Sequence, residues 1–218
     1  VRRGNATPEH VIHIKRFGVA LPAPVKGELD QWAKTVRDAV AAYKDDYIAY
    51  FERNNARVGG IKKMLDPMPR VFYVAGVGIF AAGATRKSAM VGADCVEATV
   101  EVITNAEGIE AFEALPEPDL FDVEYWSLEQ AKLVKNLEKP LTRQIAIVTG
   151  GASGLGRAVA EALKAEGAEV ALFDINEEAL KREAKQLGAF PVVCDVTDPV
   201  SVDAAVEKVA AHFGGVDI

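Results

Sequence analysis

The hydrophobic pattern changes period along the chain, and the C-terminal third is the most regular part. There, strand-like runs of five or six residues (Gln144–Thr149, Glu169–Phe173 and Phe190–Cys194) alternate with stretches whose apolar residues recur every three or four positions (Leu155–Glu166, Glu177–Leu187 and Ser201–Phe213). Short strands joined by helices predict β-α-β crossovers and a parallel sheet of order 3-2-1. Upstream the pattern is looser. Val11–Leu21 reads as extended, broken by Pro22 and Pro24. Glu28–Phe51 places Leu29, Trp32, Val36, Val40, Tyr43, Tyr47 and Phe51 on one stripe of a long helix. Arg70–Ala75 reads as a short strand, and Lys87–Ile103 as a helix with Gly92, Cys95, Val96, Thr99, Val100 and Ile103 on one face. Pro116 and Pro118 mark a loop, and a polar helix over Tyr125–Leu137 gives way to Lys139-Pro140-Leu141. The fold class is therefore α/β: a mixed part over 1–138, a linker over 139–143, and a parallel-sheet part over 144–218.

Composition narrows the function. Half of the 218 residues are hydrophobic, 26% are charged, and the net charge is −7. Residues 141–218 hold seven Lys and Arg against twelve Asp and Glu, so a general affinity for nucleic acid is disfavoured. No run of eighteen apolar residues exists, and Val1-Arg2-Arg3-Gly4-Asn5 lacks the apolar core of a signal peptide, so a cytoplasmic protein without a membrane partner is expected. The missing initiator Met suggests a piece of a longer chain. Cys95 and Cys194 are expected as reduced thiols, and three His without a Cys-x-x-Cys give no structural zinc pattern.

Ile145-Ala146-Ile147-Val148 runs into Thr149-Gly150-Gly151-Ala152-Ser153-Gly154-Leu155-Gly156 and then into a helix, the setting a dinucleotide site requires. Gly150 allows a sharp exit from the strand, Gly154 leaves room for a pyrophosphate, and Gly156 lets helix and strand pack closely. Free amides of the first helical turn, with Leu155 among them and the Ser153 hydroxyl beside them, face the phosphates. The second strand ends at Asp174, eighteen residues after Gly156, where an acid accepts ribose hydroxyls and repels a 2′-phosphate. Ile175-Asn176-Glu177 follows without a basic residue, which favours NAD over NADP. Asp195 and Val196, after the third strand, are placed for adenine.

Thr149–Gly156 resembles the cofactor loop of the short-chain dehydrogenases/reductases, over about residues 141–218. The resemblance implies a Rossmann-type sheet, NAD as cofactor, binding by Gly150, Ser153, Gly154, Leu155, Gly156, Asp174, Ile175, Asp195 and Val196, and a role for Asp195 beside adenine. That family continues with an Asn-Asn-Ala-Gly strand end, a catalytic Ser and a Tyr-x-x-x-Lys pair. Val216-Asp217-Ile218 looks like the start of the strand leading there. No Tyr here has a Lys four residues on, and Asn54-Asn55-Ala56 reads as a helix C-terminus. No catalytic residue is therefore assigned, and this chain alone is expected not to turn over.

Gly4–His10, Lys15-Arg16, Pro69–Phe80 and Ala84–Lys87 resemble fused sugar-phosphate aldolase/short-chain dehydrogenase proteins, whose class II aldolase module is of the rhamnulose-1-phosphate type. The resemblance implies a longer bifunctional enzyme acting on small molecules, a deoxyketose phosphate and an alcohol or aldehyde such as lactaldehyde. It also implies aldolase zinc, with ligands outside this chain. His10 and His13, three apart in an extended segment, would lie on opposite faces and make poor joint ligands, and His212 belongs to the other part. His10 and Lys15 remain candidates to line an aldolase pocket. Gly76–Ala81 fits a loose dinucleotide pattern but reads better as a tight turn, with Thr85 capping the next helix. The alternative is a non-catalytic dinucleotide-binding or interaction module, complete as given. With only three strands complete, Gln144–Thr149 would present an open apolar edge, so a homo-oligomer through that edge is expected.

Overall fold

The computed structural model describes residues 3–132 and 139–218 and divides into two compact units. The first holds a sheet of order β1-β2-β3: β1 (Val19–Leu21) runs parallel to β2 (Val71–Val74), and β3 (Gly78–Ala81) returns antiparallel to β2. The second holds the parallel sheet β4 (Ile145–Thr149), β5 (Glu169–Asp174) and β6 (Phe190–Val193), with the expected order.

The expected extended run over Val11–Leu21 is only extended at its end. Pro8–His10 forms a 3-10 turn that continues into α1 (Val11–Ile14). Pro8 costs nothing in a first turn, whose N–H has no partner anyway. Burying Val11 and Ile12 against Leu120 outweighs the β preference of the branched residues. The premise that His10 and His13 point apart therefore fails, because residues three apart in a helical turn share a face.

The long helix is α2 (Leu29–Arg57). It buries Tyr43, Tyr47, Tyr50, Phe51 and Asn54 against Val19, Leu21 and Val74 of the sheet. Leu29 stands 61% exposed, because the stripe outruns the surface it covers. α3 (Arg86–Glu107) starts directly after Thr85 and buries Gly92, Val96 and Thr99, while Val100 is exposed on the same helix. The loop expected at Pro116 and Pro118 is instead the entry to α4 (Glu117–Glu124). Pro116 is extended and Pro118 sits in the first turn, so both prolines start this helix. Phe121 stacks on Tyr125 at 4.5 Å and meets Tyr50 edge-on at 5.6 Å, which anchors α4 on α2. α5 (Ser127–Lys132) covers the first half of the helix expected over Tyr125–Leu137, and 133–137 lie outside the described residues.

In the second unit, α6 (Gly154–Ala165), α7 (Glu177–Leu187) and α8 (Pro199–Phe213) follow the three strands. Asn176 caps α7 by accepting from the Ala179 N–H, and Gly188 closes it in the left-handed conformation. Asp198 caps α8, Pro199 opens it and Gly214 ends it. Residues 139–143 form a hydrogen-bonded turn, with the Leu141 N–H donating to the Glu166 carbonyl at 2.9 Å. The expected open edge of β4 is partly covered. Asp217 and Ile218 N–H groups reach the Ile145 carbonyl at 2.8 and 3.0 Å, and the Ile147 N–H reaches the Ile218 carbonyl at 2.8 Å. Unpaired strand amides take the nearest chain, here the residues after Gly214-Gly215.

Candidate functional site

The three loops at the carboxyl ends of β4, β5 and β6 carry the residues that the sequence singles out. Parallel strands in register put those ends side by side, where open α/β sheets hold ligands. Gly150 leaves β4 at φ 63° and Gly154 enters α6 at φ 53°, backbone that glycine adopts without strain. A Cβ built on either would meet nothing within 4 Å, so open space lies over the loop. Gly156 is the opposite case: a Cβ there would come within 2.2 Å of the Gly150 carbonyl oxygen and 2.9 Å of the Thr149 one. That is the close helix–strand approach expected of it. Ser153 precedes the helix in extended backbone, exposed and with no capping bond from its side chain. Leu155, in the first turn, is 87% exposed.

Asp174 is half-buried and both its oxygens are engaged: Oδ2 accepts the Ala152 N–H at 3.1 Å and Oδ1 the Asn176 N–H at 3.0 Å. Ile175 beside it is exposed. Asp195 Oδ1 accepts from the Thr197 hydroxyl at 2.7 Å and the Thr197 N–H at 2.9 Å, and these bonds hold its carboxyl below the usual aspartate range. The Asp195 backbone N–H donates to the Ser201 hydroxyl oxygen at 3.0 Å. Val196 is exposed next to it. The structure thus gathers Gly150, Ser153, Gly154, Leu155 and Gly156 on one loop, with Asp174–Ile175 and Asp195–Val196 at the neighbouring strand ends.

Sequence reasoning missed three contributors. Gly151 has no room for a side chain, since a Cβ would lie 2.9 Å from Leu172 Cδ2, and its N–H donates to the Phe173 carbonyl at 3.1 Å. The Ala152 amide and Thr197 serve through the bonds above. The doubled glycine and the Asp-Val-Thr spacing were their only signals.

The first unit holds a different chemistry. Lys15 is not on a pocket wall: it is 3% exposed, with Nζ 3.0 Å from the Tyr47 hydroxyl and 3.3 Å from Glu124 Oε1. Tyr47 and Tyr50 donate to the two Glu124 oxygens at 2.7 and 3.0 Å, and the Tyr125 hydroxyl lies 2.8 Å from that of Tyr47. Burial pushes the Lys15 amine below its ordinary value, opposed by the Glu124 charge. Its backbone, at φ 62° and ψ −178°, lies in a region almost reserved for glycine. Glu124 carries no motif, which is why its pairing was invisible in the sequence. His10 sits against the Thr7 hydroxyl at 3.1 Å. An open apolar cleft of about 530 Å³ lies elsewhere in this unit, lined by Ala20, Leu21, Tyr73, Val74, Ala75 and Ile79. Gly76, at φ 70°, makes the tight β2–β3 turn, so the second glycine-rich stretch is a hairpin. Among the described residues no three His, Cys, Asp or Glu side chains are grouped to hold a metal, so zinc does not fit these residues. Both cysteines are free thiols, Cys194 buried and Cys95 half-buried.

Comparison with known proteins divides the chain at the same place. Residues 1–133 match the family described as aldolase class II, second domain, and residues 144–218 match the short chain dehydrogenase family. Along 99% of its length the chain is 30% identical to the uncharacterized oxidoreductase YuxG of Bacillus subtilis, of which it covers 32%. Its dehydrogenase part is 45% identical over 83 residues to D-threitol dehydrogenase of Mycolicibacterium smegmatis, covering 36% of this chain and 32% of that one. It is also 51% identical over 74 residues to the 2-dehydro-3-deoxy-L-rhamnonate dehydrogenase (NAD(+)) of a Sphingomonas species, covering 34% and 30%. The chain thus spans about a third of the length of these relatives. Among solved structures, a 3-ketoacyl-(acyl-carrier-protein) reductase from Brucella melitensis complexed with NADH matches at 34% identity and a TM-score of 0.33, over 34% of this chain and 31% of that one.

Proposed function

The chain belongs to the class II aldolase second-domain family and continues into a short-chain dehydrogenase sequence; from that premise we propose that it is part of a longer aldolase/dehydrogenase and supplies its NAD-binding half-site. The observation that carries this reading is the open space over Gly150 and Gly154 beside the free first-turn amides of α6, flanked by two carboxylates at neighbouring strand ends. Backbone N–H groups of that turn and the Ser153 hydroxyl hold the pyrophosphate, favoured by the helix dipole. Asp174 accepts ribose hydroxyls and disfavours a 2′-phosphate, while Asp195 faces the adenine edge, with exposed Ile175 and Val196 covering the ring. The bound nicotinamide supplies hydride transfer, with an alcohol or aldehyde as the substrate class. This chain binds and orients; with no Tyr-x-x-x-Lys pair to move the proton, it does not turn over by itself. Support comes also from one relative, which is named as an NAD(+) dehydrogenase.

A calorimetric titration of the 218-residue chain with NAD and with NADP tests the reading. Saturable heat with NAD, at least about tenfold tighter than with NADP, is expected (about 1.4 kcal/mol). Equal or absent binding of both nucleotides contradicts it.

A further inference from the structure

Most of the Gly-rich loop has no side chain with which to hold itself. Gly150, Gly151 and Ala152 are free of polar groups beyond the backbone, and glycine loses more conformational freedom on ordering than any other residue. Two successive amides of this stretch are nevertheless tied to two successive residues of β5. The Gly151 N–H donates to the Phe173 carbonyl, and the Ala152 N–H donates to the Asp174 carboxylate. The other Asp174 oxygen is taken by the Asn176 N–H, and the Asp174 carbonyl accepts from the Cys194 N–H at 3.1 Å, at the end of β6. One residue therefore links all three strand ends.

We infer that Asp174 is a positioning residue for the Gly-rich loop, latching the Ala152 amide before any nucleotide arrives. The inference rests on the dinucleotide reading for its consequence but not for its geometry. A carboxylate held by N–H groups on both oxygens cannot turn away from an incoming 2′-phosphate without releasing the loop that receives the pyrophosphate. Discrimination against NADP then has two parts, charge repulsion and loss of the latch. Replacing the acid separates them. Asp174→Asn removes the charge and keeps one side-chain oxygen for the Ala152 N–H, whereas Asp174→Ala removes both.

Hydrogen exchange of the nucleotide-free chain, read at single amides by NMR, tests the latch. Asp174→Ala is expected to speed exchange at Ala152 about tenfold, the loss of one bond to a charged acceptor, while Val148 and Leu172 stay as protected as before. Asp174→Asn is expected to change Ala152 by no more than about threefold and to gain NADP affinity, with Asp174→Ala weak for both nucleotides. Unchanged exchange at Ala152 in the alanine variant, or equal gains of NADP affinity in both variants, overturns the latch. A wild-type chain that fails to bind NAD sinks the dinucleotide reading instead, and leaves the Ala152 exchange result to decide the latch alone.

Discussion

At the scale of single residues, the glycines of the loop do different jobs that substitution separates. Gly156→Ala drives a Cβ into backbone atoms that cannot move aside, so it should destabilise the second unit by about 1–3 kcal/mol in urea unfolding. Gly154→Ala adds a Cβ in open space, at a φ that costs about 1 kcal/mol, and should reduce NAD affinity more than it reduces stability. If both variants lose the same stability and bind NAD alike, these assignments are wrong. Lys15 and Glu124 give a second residue-scale prediction. Removing one member of a buried pair leaves the other charge uncompensated, so Lys15→Met should cost about 3–5 kcal/mol. Lys15→Met combined with Glu124→Gln should recover most of it, since the double variant leaves no buried charge. A single variant that unfolds at the wild-type urea concentration would count against the pair as a stabilising contact.

Among the elements, α4 shows what a local pattern hides. Its two prolines look like loop markers, and only the burial of Leu120, Phe121 and Glu124 reveals a helix entered through proline. Glu117, at its start, receives two hydrogen bonds from Arg53, at 2.6 and 2.7 Å, one from Asn54 at 2.9 Å, and an ion pair from Arg16. The Arg53 hydrogen bonds, with help from Asn54 and Arg16, hold its carboxyl at about 2 against an ordinary 4.5. A depressed acid pKa stabilises the fold fully above the unfolded value and loses that contribution as pH falls through the folded one. Thermal unfolding of the wild type should therefore exceed that of Glu117→Gln at pH 7, with the gap closing between pH 4.5 and about 2. A gap that does not vary with pH would show that Glu117 acts through shape alone. α1 was hidden for a related reason: Val-Ile-His-Ile favours a strand locally, and contacts with α4, more than a hundred residues away, decide for helix.

Across the whole molecule, legibility follows how local the determining contacts are. The second unit was readable almost to the residue because each strand, cap and glycine there answers to its neighbours in sequence: Asn176 and Asp198 cap their helices, Gly188 and Gly214 close them, and Asp174 ends its strand. The first unit draws Lys15, Tyr47 and Glu124 together from three distant segments, and no spacing in the sequence announces that meeting. The β4 edge is less open than expected because the five residues after the last helix, 214–218, are enough for Asp217 and Ile218 to reach Ile145 and Ile147.

Three loops, from three strands, should act as one nucleotide site. Amide chemical-shift mapping of the 218-residue chain during titration with NAD tests this most directly. The shifts should concentrate on Gly150–Gly156, Asp174–Ile175 and Asp195–Val196 and saturate together with one affinity. Shifts centred on the first unit, or none at saturating NAD, would contradict the half-site.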